Sequence, residues 1–158
     1  MDLAEPGLPP AAVVSFEELF RAQYEPMVRL AYLLTRSRAV AEDLVQDSFV
    51  RVRPRLDGLE APAAYLRRTV TNACYSWHRR RRREQTVPVD PPGAADAAPE
   101  ELWDALAGLA PKRRAVLVLR YYLDLSEAEI ADTLGVRPGT VKSLCHRALA
   151  DLRQVIEP

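Results

Sequence analysis

Three observations predict an all-α fold of two small helical domains joined by a flexible linker. Apolar residues recur at i, i+3, i+4 and i+7 on both sides of a proline-rich stretch, capping boxes open two of these runs, and strand-like alternation is absent. A chain of 158 residues can hold a single domain or two small ones. The stretch from Glu84 to Pro99 carries four prolines with repeated Ala and Asp and no periodic apolar face, which marks it as the linker. The expected units are therefore a disordered tail over 1–14, a first module over 15–83, the linker over 84–99 and a second module over 100–158.

In the first module Ser15 and Glu18 form a capping box ahead of Phe16, Leu19, Phe20, Met27, Ala31 and Leu34, with a kink expected at Pro26. A second helix is expected from about Ala39 to Arg53. Ala41, Leu44, Val45, Ser48 and Val52 make one of its faces, while Glu42, Asp43, Gln46, Asp47 and Val50 point elsewhere. Pro62 suits the first position of a third helix reaching about Arg83, roughly 33 Å long at 1.5 Å per residue.

The second module begins with Leu102, Leu106 and Leu109, followed by a helix over Lys112 to Leu123. Ser126 and Glu129 give another capping box, Ile130 and Leu134 an apolar face, and Gly135 a stop. Pro138 then starts a helix reaching about Val155. A short helix, a tight glycine turn and a longer helix make a helix-turn-helix.

The formal net charge of zero is a cancellation. Residues 61–85 carry seven cations against one anion, residues 86–111 five anions and no cation, and residues 112–158 eight cations against six anions. Two cysteines, Cys74 and Cys145, stand 71 positions apart without metal-ligand spacing and read as packing residues. His78 and His146 stand alone, and no nucleophile, base or phosphate loop can be assembled, so neither enzymatic activity nor a cofactor or metal is expected. MDLAEPGLPP is not a signal peptide and no apolar run approaches a membrane span, so a cytoplasmic protein without membrane insertion is expected.

Three constellations carry chemistry. In a helix-turn-helix the start of the second helix enters the major groove. Here Val141, Leu144 or Cys145, Ala148 and Leu152 can pack inward, leaving Thr140, Lys142, Ser143, His146 and Arg147 to offer donors to phosphates and base edges. Arg79 to Arg83 form a run of five arginines preceded by Tyr65, Tyr75 and Trp77. At 100° per residue such a run spreads around its helix and cannot meet one ligand entirely; five neutralised phosphates would give a log–log salt slope of about −4.5. The aromatics could stack on unpaired bases, although the pattern also fits core aromatics followed by solvated charge. The acidic face of EDLVQDSF reads as a protein-docking surface or as plain solvated surface.

Taken together these segments resemble the extracytoplasmic-function group of sigma-70-type RNA polymerase sigma factors. AEDLVQDSFVRV resembles region 2.2, AYLRRTVTNACYSWHRRRRRE resembles regions 2.3 and 2.4, and LSEAEIADTLGVRPGTVKS resembles region 4.2. The resemblance implies a sigma region 2 bundle and a sigma region 4 helix-turn-helix. It further implies docking on the β′ clamp helices of core polymerase through Asp43, Gln46, Asp47 and Phe49. Recognition and melting of a −10 element would fall to Asn72, Tyr75, Ser76, Trp77, Arg79 and Arg80, with a flipped base captured at the loop from Asp57 to Ala61. Recognition of a −35 element would fall to Arg137, Thr140, Lys142, Ser143, His146 and Arg147.

The resemblance also implies contact with the polymerase β flap and admits an anti-sigma factor. The pattern departs from the family at Ser76, where many members carry Asp, and at Leu144 and Cys145, where a polar or basic residue often follows Ser143. A linker of 16 residues extends to about 55 Å, comparable to about 16 base pairs, so the modules could occupy separate promoter boxes or close on one another. The alternative reading is a stand-alone helix-turn-helix regulator that binds duplex DNA without polymerase.

Overall fold

The first module rests on Ser15, whose hydroxyl accepts the Glu18 N–H at 3.2 Å while the Glu18 carboxylate accepts the Ser15 N–H at 2.9 Å. That reciprocal cap opens α1 (Phe16–Thr35), which runs as one helix through Pro26. The structure, a computed structural model, describes residues 14–84 and 100–157. Of the expected tail over 1–14 and linker over 84–99, residues 1–13 and 85–99 lie outside the described residues, and Glu84 belongs to a helix rather than to the linker.

Helix α1 ends at Arg36, whose left-handed backbone (φ 58°) reverses the chain and donates its N–H to Tyr32 O at 2.7 Å. Ser37 then caps α2 (Arg38–Val52) by accepting the Val40 N–H at 3.3 Å. A single 3₁₀ stretch (Arg53–Gly58) leads to α3 (Pro62–Glu84). Leu30, Leu34, Val45, Val52, Leu66 and Val70 are fully buried where these three helices meet. Each such side chain contributes roughly 1.5–3 kcal/mol relative to exposure. Cys74 lies in the same core, and burial pushes its thiol up to about 12, as befits a packing residue.

The second module holds α4 (Glu100–Ala107), α5 (Pro111–Leu117), α6 (Glu127–Leu134) and α7 (Pro138–Ile156). The helix expected over Lys112 to Leu123 is α-helical only to Leu117 and continues as a π-helical turn (Val118–Tyr122). The Leu123 N–H reaches back five residues to Val118 O at 3.1 Å, a wider ring than the α-helix allows. Tyr121 and Tyr122 are left exposed by this turn.

The modules lie against one another, α3 on α6 and α5, and α1 on α5. Arg114, 6% exposed, joins them. Its guanidinium donates to Leu34 O at 2.9 Å at the end of α1, and to Leu106 O at 2.8 Å, Ala107 O at 2.7 Å and Leu109 O at 3.4 Å around the end of α4. The last carbonyls of a helix lack partners within it, so one buried cation satisfies two helix ends. Burial, then Arg36 and Arg81, pull the Arg114 guanidinium down to about 10. His78, a solitary residue in the sequence, meets the same Leu34 carbonyl through Nε2 at 2.5 Å and must donate there. Arg36 pairs with Asp104 at 3.1 Å, and Arg67 Nε reaches Thr133 Oγ1 at 3.5 Å.

Candidate nucleic-acid interface

Helix α6 begins at the Ser126 cap, where the Ser126 hydroxyl accepts the Glu129 N–H at 3.2 Å and Glu129 accepts the Ser126 N–H at 2.8 Å. Those bonds hold the Glu129 carboxyl below the ordinary range, the backbone bond most strongly. Gly135 adopts φ 66°, a conformation that would strain any side chain, and lets the chain turn into α7. Pro138 fixes the first turn of α7 where an N–H would have no partner. Val141 and Ala148 are buried against α6 and α5, and Leu144, Cys145, Leu149 and Leu152 are half-buried.

Arg137, Thr140, Lys142, Ser143, His146 and Arg147 are all exposed. Three cations, two hydroxyls and an imidazole thus share the solvent side of the first three turns. That arrangement presents donors to phosphates and to purine edges while the apolar side stays in the core.

On α3 the six expected −10 residues divide. Asn72, Ser76, Arg79 and Arg80 continue one stripe, and Arg79 Nη2 donates to Ser76 Oγ at 3.4 Å. Tyr75 turns off it: its ring is half-buried and its hydroxyl is buried with no partner among the described residues. Burial, and secondarily Cys74, raises the phenol above its ordinary range. Trp77 faces the other way, 4.9 Å from His78 ring to ring and under Arg81 at 5.2 Å.

The stripe extends backwards to Thr69 and Tyr65, which sequence reasoning had treated only as an aromatic. Together with Arg51 and Arg55 these residues line a polar cleft of about 400 Å³. Arg55 Nη1 donates to Tyr65 Oη at 3.1 Å. Arg51, Arg55 and Thr69 were missed. Thr69 was accessible from the 65, 69, 72, 76 spacing, whereas the arginines arrive from another element. Asp57, Gly58, Glu60 and Ala61 are exposed beside α3, with Leu59 half-buried.

On α2, Asp43, Gln46, Asp47 and Val50 form an exposed i, i+3, i+4, i+7 stripe with Val50 70% exposed. Phe49 corrects the sequence reading. It is 2% exposed, within an aromatic cluster of Phe16 (6.0 Å, edge-on), Phe20 (5.0 Å) and Tyr24 (6.3 Å), and supports the stripe from beneath. A separate apolar groove of about 410 Å³ is walled by Leu33, Trp103, Leu106, Val118, Leu149 and Leu152 among others.

A helix-turn-helix with a basic outward face, joined to a second helical module with its own cationic stripe, defines a DNA-binding protein of two modules. The sequence matches the model of Sigma-70 region 2 over residues 19–84 and that of Sigma-70, region 4 over residues 100–152. It is 40% identical over 156 residues to the RNA polymerase sigma-E factor of Streptomyces avermitilis, with 92% of this chain and 87% of that one covered. It is 34% identical over 154 residues to the ECF RNA polymerase sigma factor SigM of Mycobacterium tuberculosis, covering 90% and 77%.

Among solved structures, the sigma factor RpoE of Bartonella quintana, crystallised with the anti-sigma factor NepR, superposes with a TM-score of 0.74 at 25% identity over 90% of this chain and 96% of that one. CnrH, in complex with the cytosolic domain of CnrY, shares the fold, with a TM-score of 0.69 at 23% identity over 90% and 87%. The chain belongs to the sigma-70 family of RNA polymerase sigma factors, in its extracytoplasmic-function group. No helix among the described residues is long and apolar enough to cross a membrane.

Proposed function

We propose that the protein binds core RNA polymerase, directs it to promoters carrying −10 and −35 elements, and helps melt the −10 region, with no catalytic activity of its own. The division of labour follows the two modules, residues 15–83 and 100–158, acting in the cytoplasm. The observation that carries this reading is one chain holding three distinct exposed surfaces: the acidic α2 stripe, the polar and cationic α3 stripe, and the basic outward face of α7. Asp43, Gln46 and Asp47, with Val50, dock on the β′ clamp helices, and Phe49 keeps them in register from below. Asn72, Ser76, Arg79 and Arg80 follow the −10 strand, and the cleft of Arg51, Arg55 and Tyr65 is sized for an unpaired base. Arg137, Thr140, Lys142, Ser143, His146 and Arg147 read the −35 duplex.

The apolar groove beside α7 suits a helix of the β flap, because its walls are aliphatic and aromatic and its mouth is open. An anti-sigma factor is a natural further partner of the closed arrangement of modules.

Co-elution with purified core polymerase tests the docking reading. The wild type should elute with core, and Asp43→Lys with Asp47→Lys should weaken binding by about tenfold or more through like-charge contact while the circular dichroism spectrum is unchanged. Unaltered co-elution of the double variant removes α2 from the docking surface. A shift of promoter duplex by the protein without core, in place of core binding, supports the stand-alone regulator instead.

A further inference from the structure

Between the modules lies a cleft of about 720 Å³ that none of the three surfaces uses. Arg36 enters it from the end of α1, His78, Arg81 and Arg82 from α3, and Arg114 from α5, with the turn over 107–111 forming the opposite wall. Among the described residues lining it there is no carboxylate. Asp104 meets Arg36 from the rim, with a side chain 70% exposed.

These groups feel one another. His78 is held below its ordinary value first by burial, partly offset by the Leu34 carbonyl, and then by Arg114, Arg81 and Arg82. Arg114 is likewise lowered by Arg36 and Arg81 after burial. Guanidinium groups brought together from three helices, Arg114 among them tied to backbone carbonyls, give the cleft a positive field that favours an anion. Arg114 is fixed by its carbonyls, so its charge is in place before any ligand arrives, and the neutral His78 ring is held beside it by the Leu34 carbonyl.

We propose that this cleft binds an oligophosphate, a di- or triphosphate group either free or carried by a nucleotide, and that the ligand bridges the two modules in the closed arrangement. Guanidinium groups match phosphate oxygens in planar, paired geometry, and converging arginines favour a multiply charged ligand over a single carboxylate. The volume accommodates a nucleotide as well as an inorganic chain. The site goes beyond the polymerase and promoter functions, and it is testable without either partner.

The test is isothermal titration of the full chain, at constant ionic strength, with inorganic triphosphate, a nucleoside triphosphate, sulfate and a short single-stranded oligonucleotide. Triphosphate should bind saturably, at least tenfold more tightly than sulfate. Arg82→Ala, an exposed position whose replacement spares the core, should weaken it at least fivefold, and Arg36→Gln should do so from the other wall. Arg29→Ala removes the same charge from an exposed site outside the cleft and should leave binding unchanged.

Equal affinity for inorganic and nucleoside triphosphate identifies the phosphate chain as the ligand; tighter nucleoside binding identifies a nucleotide. Triphosphate binding no tighter than sulfate, or an equal loss in Arg29→Ala, overturns the proposal as general charge screening. Oligonucleotide binding lost in Arg82→Ala without triphosphate binding also overturns it and assigns Arg82 to DNA.

Discussion

Helices α3 and α7 are both long and basic, yet they distribute their residues in opposite ways. Helix α7 has one buried side and one exposed side, and every expected DNA-contacting residue lies on the exposed one. Helix α3 serves three neighbours at once: Leu66, Val70 and Cys74 fill the core, Asn72, Ser76, Arg79 and Arg80 form an outward stripe, and His78, Arg81 and Arg82 turn toward the second module. A helix with two sides can be altered on one without cost to the other. A helix with three cannot, because at 100° per residue each turn contributes to every surface.

The largest effect is expected beside α3, where Arg114 of α5 ties together the ends of α1 and α4. Arg114→Ala leaves the carbonyls of Leu34, Leu106, Ala107 and Leu109 without their buried donor. A loss of about 3 kcal/mol follows, seen as a lower Tm and earlier hydrogen exchange at 107–111. An unchanged Tm would show that the modules do not depend on this contact. Next in size, Arg147→Ala should cost about 1–3 kcal/mol in −35 discrimination, measured by competition between matched and mismatched promoters. Its unfolding free energy should stay within about 0.5 kcal/mol of wild type, since the side chain is exposed.

A smaller effect separates the arginines of the run. Arg79→Ala and Arg80→Ala should each reduce the salt slope of holoenzyme binding to promoter by about one, whereas Arg81→Ala, beside Trp77, should leave the slope unchanged. Equal reductions at all three would contradict the division of α3 into faces.

The smallest effect is electrostatic and concerns pH. His78 sits below its ordinary value of 6.5, so the folded, closed protein prefers the neutral ring. The contribution of His78 is fully present above pH 6.5. It is lost as pH falls below that value, because the unfolded or open chain takes up the proton first. The groups facing the ring are Arg114 from α5, Arg81 and Arg82 from α3 and the Leu34 carbonyl of α1. Thermal unfolding followed between pH 7.5 and 5.5 should show the decline, and His78→Gln should flatten it.

What the sequence made legible was local. The caps at Ser15 and Ser126, the turn at Gly135 and the start at Pro138 each announce themselves in a few residues, so the helix-turn-helix and its outward face could be read directly. Phe49 was misplaced although its spacing from Val45 and Val52 puts it on the inward side; its partners Phe16, Phe20 and Tyr24 come from another helix. The π-helical turn over Val118–Tyr122 leaves no mark in composition. Arg114 and His78 found partners in backbone carbonyls, which carry no residue signature, and the Arg51 and Arg55 side of the polar cleft likewise depends on tertiary approach.

Promoter-dependent run-off transcription with purified core polymerase tests the central claim most directly. Core with this protein should give a defined transcript that core alone does not, lost when the −10 or the −35 element is scrambled and reduced in Arg147→Ala. Absence of any transcript from promoter-bearing templates, with no association between the protein and core, would contradict the account.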